Sequence, residues 1–435
     1  MGVRRQVLAL VAGAGVALGS VVAFSPAGEA AVTCSSVAWA EGVTYRAGTQ
    51  VTYRSRLYQA LVTHTAHAGA GWNPAATPTL WGDLGACSGG GTPTPTATSV
   101  SPTASSTTSP APTPTATGGA CATRGRPAGK VLQGYWENWD GAANGVHPGL
   151  GWIPINDGRI AQHGYNVLMA AFPVIRSDGT VLWENGMDAG VKVPTAAEIC
   201  AAKAQGATVL MSIGGAAAGI DLSSSTVADR FVASIVPILK AYHFDGIDID
   251  IETGLSGSGD INTLSTSQAN LIRIIDGVLA AMPANFGLTM APETAYVTGG
   301  SVTYGSIWGS YLPIIKKYLD NGRLWWLNMQ YYNGSMYGCS GDSYAAGTVQ
   351  GFTVQTRCLA DGLTIQGTTI KIPYDKQVPG LPAQPGAGGG HMTPALVAQA
   401  VSSVPGIKGL MTWSINWDGS KGWTFGDNVK ALQGR

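Results

Sequence analysis

From residue 131 onward the chain alternates short apolar runs with longer stretches in which apolar and polar positions recur at helical spacing. The runs cover residues 131–136, 166–172, 208–213, 244–252, 287–291, 325–331, 377–381 and 409–413. Short apolar segments bounded by Gly, Asn, Asp or Ser read as buried strands. The intervening stretches carry helix starts: Thr195 with Glu198 forms a capping box closed by Gly206, Thr226 opens a second helix with Asp229, and Thr393 precedes Pro394 at the first position of a third. Residues 266–282 form a long amphipathic run with Leu271, Ile274, Ile275, Val278 and Leu279 on one face. Eight buried strands alternating with helices predict an α/β fold, a (β/α)8 TIM barrel, over residues 120–435. An open doubly wound sheet is the alternative, but no Gly-x-Gly-x-x-Gly opens the first unit.

The fourth run departs from the others. Isoleucines and acids alternate strictly in it, so Ile247, Ile249 and Ile251 share one face of a strand and Asp248, Asp250 and Glu252 share the other. Same-face neighbours lie roughly 6.5 Å apart, where two unit charges repel by about 2.5 kcal/mol at an effective dielectric near 20. Three such carboxyls do not all ionise cheaply, so at least one holds a proton near neutrality. A proton donor with carboxylate helpers, a divalent-metal site and a solvated acidic edge strand all fit the stretch in isolation. In a barrel, chemistry sits at the C-terminal ends of the strands, and Glu252 is the last acid of its strand. Asp245 has the opposite parity and reads as a structural turn residue.

The segment before residue 120 changes the picture. Arg4 and Arg5 precede an apolar run over 7–24, and Gly28-Glu29-Ala30 offers small residues at a cleavage site, so residues 1–30 read as a secretion signal and the mature protein as extracellular. Residues 88–119 are Thr/Pro/Ser/Ala with no charge, an extended linker spanning roughly 100 Å at about 3.1 Å per residue. Between them, residues 31–87 are short and aromatic, with strands at 51–53 and 57–61 around a turn at 54–56. So small a module needs a staple. Position favours pairing Cys34 with Cys87 and Cys339 with Cys358, leaving Cys121 with Cys200. Closing the first loop contributes about 4 kcal/mol in the chain-entropy view.

Charged residues make up 11% of the chain and the net charge is zero, which argues against nucleic acid or an acidic membrane surface as partner. No Cys-x-x-Cys or His-x-x-x-His spacing is present, so neither a metal nor a cofactor is expected. Thirteen tryptophans and fifteen tyrosines suit neutral, flat ligands such as sugars.

Asp245-Gly246-x-Asp248-x-Asp250-x-Glu252 resembles the signature of the family 18 glycoside hydrolases, the chitinase family. Ser212-Ile213-Gly214-Gly215 is similar to the family's third strand, Met290-Ala291-Pro292-Glu293 to its fifth, Met329-Gln330-Tyr331-Tyr332-Asn333 to its sixth and Met411-Thr412-Trp413 to its eighth. The resemblance implies a retaining, substrate-assisted mechanism, a known property of this family. Glu252 would be general acid and base, Asp250 would hold the acetamido N–H, Asp248 would share a proton with Asp250, and Tyr332 would hold the acetamido carbonyl for attack on the anomeric carbon. Trp413 would floor the reacting subsite, with Gln330, Asn333, Tyr135, Glu293 and Ser212 as further substrate-side candidates. The aromatic module, with Trp39, Tyr45, Tyr53, Tyr58, Trp81 and Trp72-Asn73-Pro74, resembles small chitin- and cellulose-binding modules of bacterial hydrolases, which makes Trp72 the exposed stacking residue.

These readings converge on a secreted endochitinase cutting β-1,4 bonds between N-acetylglucosamine units, bound to chitin and chito-oligosaccharides and expected to act as a monomer with no membrane contact once mature. A short seventh-to-eighth connection leaves no room for a groove-deepening insertion, which fits endo cleavage. An N-glycan-releasing enzyme of the same family is the nearest alternative. A catalytically silent, lectin-like barrel is the other, and the intact Glu252 argues against it.

Overall fold

The computed structural model describes residues 121–435 apart from 140–149 and 217–218, and residues 34–87 apart from 35, 41–42, 47, 61–63, 67–72 and 76–80. The expected signal segment, the linker and Trp72 lie outside the described residues. The chain divides into two compact units, Met1–Thr107 and Thr108–Arg435.

The second unit is an eight-stranded parallel sheet curled on itself. Its strands are β1 (Val131–Glu137), β2 (Val167–Ala171), β3 (Thr208–Gly214), β4 (Gly246–Asp250), β5 (Gly287–Met290), β6 (Trp326–Leu327), β7 (Gly380–Pro382) and β8 (Gly409–Trp413). Neighbours pair in the order β6-β5-β4-β3-β2-β1-β8-β7, and bridges from Leu327 to Gln377 and from Gln330 to Gly380 close the β6–β7 seam. Each strand is followed by helix, as the alternating pattern requires: α1 (Gly158–Gln162), α2 (Ala196–Ala204), α3 (Ser225–Ala241), α4 (Thr266–Ala281), α5 (Leu312–Asp320), α6 (Val349–Asp361), α7 (Pro394–Ser403) and, after β8, α8 (Ile415–Gly419) with α9 (Thr424–Leu432).

The period-2 reading of β4 holds. Ile247, Ile249 and Ile251 are buried in one outer core with Phe231 and Ile235 of α3 and Leu271, Ile274 and Ile275 of α4, each burial worth about 1.5–3 kcal/mol. The acids therefore face the barrel interior. At the base of that interior β3, β4 and β5 come so close that a Cβ on Gly246 would lie 2.8 Å from the Gly287 carbonyl and 2.9 Å from a Leu210 methyl, which explains the glycine of the Asp-Gly pair.

Asp245 is structural, as its parity implied. It is fully buried, accepts hydrogen bonds from the Arg124 and Val209 amides (2.6 and 2.9 Å), and pairs with buried Lys203 at 2.7 Å. Burial pushes its carboxyl up, and these donors pull it back. The Cys121–Cys200 disulfide anchors the same segment, and Cys34–Cys87 and Cys339–Cys358 form as expected.

Three local expectations are corrected. Helix α3 starts earlier than Thr226, because Ser224 is its cap and accepts from the Val227 amide; Asp229 instead pairs with Arg273. The sixth strand is regular only over Trp326–Leu327, and the seventh is shifted to Gly380–Pro382. Between them the pairing is carried by isolated bridges, with the Val378 and Gly380 amides on either side of Pro379 donating to the Leu327 and Met329 carbonyls. In the first unit, the strands Gln50–Tyr53, Arg56–Ala60 and Trp81–Ala86 make an antiparallel sheet over buried Tyr45, Tyr58 and Trp81. Arg54 and Ser55, both with positive φ, form the two-residue turn.

Candidate active site

Along β4 the acids grade from the barrel interior to its mouth. Asp248 is 0% exposed and Asp250 3%, whereas Glu252, two residues past the strand end, is half-buried. Strand register decides what surrounds the deepest one. Ser212 of β3 and Thr289 of β5 lie directly beside Asp248 in the sheet, and both hydroxyls donate to it, at 2.8 and 2.6 Å. The Tyr135 hydroxyl of β1 donates at 2.7 Å and the Asn328 amide at 3.1 Å. Asn328 also donates to the Tyr135 oxygen (3.2 Å), which turns the phenolic proton toward Asp248. Four donors saturate both oxygens of an ionised carboxylate.

Asp250 has a different environment. Burial raises its pKa well above the ordinary carboxylate value, and the charges of Glu252 and Asp248 push it further. Gln330 opposes them, donating to Asp250 Oδ1 and Glu252 Oε1, both at 3.0 Å, and to the Ala291 carbonyl at 3.1 Å. Glu252 is also raised, first by burial and then by the nearby Glu293 charge, with Gln330 pulling the other way. Burial lifts Asp248 too, but its four hydrogen bonds counter this. Donors that favour the ionised form are thus densest at the bottom of the column, and burial with neighbouring charge favours the protonated form most strongly at Asp250 above it.

Tyr332 is buried, and burial together with the charges of Asp250 and Glu252 holds its hydroxyl well above the usual tyrosine range, so it remains a donor. Half-buried Trp413 packs against Tyr135 (5.5 Å between ring centres) and lies nearly parallel to Phe172 (5.9 Å, 13°). Trp139 joins this wall at 6.1 Å from Trp413. Trp139 and Phe172 are absent from the sequence-predicted set, although Phe172 sits at the end of a predicted strand, where a ligand-facing aromatic is to be sought. Tyr135, with its ring 1% exposed, supports Asp248 from below. Glu293 is half-buried beside Glu252, raised by burial. Asn333 is exposed and its amide is taken up by the chain: Oδ1 accepts from the Gly389 amide at 2.7 Å. Among the described residues no group of three or more His, Cys, Asp or Glu forms a metal cage.

A barrel whose mouth combines a column of buried acids with an aromatic wall has the architecture of a glycoside hydrolase. Residues 131–333 match the family described as Glycosyl hydrolases family 18, and residues 38–82 match Carbohydrate-binding module family 5/12. The chain is 82% identical over 309 residues to Endochitinase 37 of Trichoderma harzianum, covering 71% of this chain and 92% of that protein. It is 78% identical over 311 residues to Endochitinase 4 of Metarhizium robertsii, covering 71% and 90%. Among solved structures, a family GH18 chitinase from Chromobacterium violaceum shares 31% identity with a TM-score of 0.61, over 92% of this chain and 100% of that one. The chain belongs to glycosyl hydrolase family 18.

Proposed function

We infer that the protein is an endochitinase that hydrolyses β-1,4 links between N-acetylglucosamine units with retention, using the substrate's own acetamido oxygen as nucleophile. The observation carrying this reading is the acid column itself: Asp248 and Asp250 lie on one face of β4 with Glu252 two residues past its end, in a barrel that also gathers the Tyr135, Tyr332, Phe172 and Trp413 rings. The other carboxyl at the β1 end, Glu137, is 1% exposed and accepts the Ser414 hydroxyl, so it is out of reach of a sugar. This reading takes one proton donor with its supports in place of the usual pair of facing carboxylates about 5.5 Å apart.

In this reading Glu252 donates its proton to the glycosidic oxygen while the acetamido oxygen closes on the anomeric carbon, giving an oxazolinium ion; Glu252 then takes a proton from the water that opens it. Asp250 accepts the acetamido N–H, which requires its proton to pass to Asp248, where a Ser212 or Thr289 hydroxyl can turn to accept it. The Tyr332 hydroxyl fixes the acetamido carbonyl in line for attack, and Trp413 packs against the sugar face. The high identity to proteins named endochitinases supports the polymer substrate and internal cleavage. Residues 1–30 as export signal, 31–87 as the chitin-binding module with Trp72 its stacking face, and 88–119 as tether complete the proposal, with the barrel over 120–435.

The test is product stereochemistry. Fresh product from the N-acetylglucosamine hexamer is expected as the β-anomer by NMR, and a fully deacetylated polymer is expected to remain uncut. An α-anomer, or cutting of the deacetylated polymer at a comparable rate, overturns the mechanism.

A further inference from the structure

Resting on the assignment of Tyr332 as the group that holds the acetamido carbonyl, we propose that Asn333 is a positioning residue which locks the glycine-rich run 386–390 against the Tyr332 ring and so fixes the tyrosine in its working orientation.

The geometry has three parts. Asn333 adopts φ +61°, a left-handed conformation that asparagine tolerates better than most residues. In that conformation its backbone and side chain grip the same residue: the Asn333 amide donates to the Gly389 carbonyl at 2.9 Å, and Asn333 Oδ1 accepts from the Gly389 amide at 2.7 Å. The grip draws the run onto the tyrosine. A Cβ on Gly388 would lie 3.2 Å from Tyr332 Cδ2, 3.2 Å from Pro382 Cγ and 3.3 Å from Asn333 Oδ1, so the ring lies against bare backbone. The run is held from outside as well: a Cβ on Gly390, itself at φ +91°, would lie 2.5 Å from Ala346 Cβ, and one on Gly386 would lie 3.2 Å from the Trp417 ring. Tyr332 is thus backed at Gly388–Gly390 by backbone without side chains, whose distance from the ring is set by the two hydrogen bonds of its own neighbour in sequence. Both hydrogen bonds to Gly389, one from the Asn333 backbone amide and one to its side-chain oxygen, are internal to the protein.

Misplacement of a positioning group by about 1 Å costs on the order of 10²-fold in rate, and a ring released on one side moves less than that. Asn333→Ala is therefore expected to lower kcat on the N-acetylglucosamine hexamer about tenfold with KM nearly unchanged. Asn333→Asp keeps the acceptor oxygen and is expected to recover most of the rate, whereas Asn333→Gly, which relieves the backbone but lacks the acceptor, is expected to behave like alanine. Gly388→Ala, whose added methyl presses on the Tyr332 ring and on Asn333 Oδ1 together, is expected to reproduce the kcat loss with the Asn333 side chain unchanged in kind. In a Tyr332→Phe background Asn333→Ala is expected to cost little more, since the two act through one group. A rise in KM with kcat intact assigns Asn333 to direct sugar contact and overturns the proposal, as does an undiminished kcat in both Asn333→Ala and Gly388→Ala. Tyr332→Phe alone retaining full kcat is a separate result that removes the mechanistic reading of the tyrosine.

Discussion

Replacing Gln330 with methionine removes the side-chain donor that Asp250 and Glu252 share while keeping the length of the side chain. Gln330 has two amide hydrogens for three acceptors, at 3.0, 3.0 and 3.1 Å, so each carboxyl receives less than a full bond. Hydrogen bonds to charged groups are worth about 1.5–3 kcal/mol, and the shared geometry puts these at the low end. A loss of about 1.5 kcal/mol corresponds to about one unit on the pH axis. The sign follows from which form the donor favours: Gln330 stabilises the ionised carboxyls, so its removal makes both groups hold their protons to higher pH. Glu252 works protonated, so the alkaline limb of kcat/KM against pH is expected to move up by about one unit. The acidic limb, which reports the ionisation needed for Asp250 to accept the acetamido N–H, is expected to move the same way. The assay is a pH series on the soluble N-acetylglucosamine hexamer at substrate well below KM, with thermal melts recording the cost of leaving the Ala291 carbonyl without its donor, about 1–3 kcal/mol. Limbs that stay in place, or that shift toward acid, refute the reasoning.

Four further outcomes are expected. Glu252→Gln lowers turnover by at least 10²–10⁴-fold, the usual contribution of a general acid, while oligosaccharide binding by calorimetry persists. The same variant melts higher than the parent at neutral pH, because burial holds Glu252 above its ordinary value and its ionisation opposes folding; the gap closes as the pH falls through Glu252's own titration. Trp72→Ala weakens retention on insoluble chitin and leaves hydrolysis of short soluble substrates unchanged, measured by pull-down alongside kcat/KM. Lys203→Met leaves Asp245 charged and buried, lowering stability by about 3–5 kcal/mol in urea melts at neutral pH, and the deficit shrinks in acid as Asp245 takes up a proton.

The acid column was readable from residues alone because strand period is a local property: alternating Ile and acid leaves a single way to bury the isoleucines against helices. Glu252, Asp250 and Asp248 follow from it directly. The partners that set their charges were not readable in the same way. Ser212 and Thr289 flank Asp248 only because β3, β4 and β5 pair in one particular register, across 36 and 41 residues of sequence. Nothing local marks Asn328 as an inward amide, since its run is dominated by tryptophans. The α3 start was misplaced within Ser223-Ser224-Ser225-Thr226, where four adjacent hydroxyls all qualify as caps and only tertiary packing chooses. Asn333 resembled a substrate residue by its place after Tyr332; its left-handed backbone and its grip on Gly389 depend on a loop more than fifty residues away.

The four donors to Asp248 come from β1, β3, β5 and beyond the end of β6. A half-barrel ending after β4 retains Tyr135 and Ser212 but lacks Thr289 and Asn328. In such a fragment the deepest acid is under-supplied and exposed to solvent, and the grading of donors along the column disappears. Complementation of two separately made halves would therefore restore turnover and the titration of the column together, in one step, because the circuit that sets one is completed only when the other is assembled.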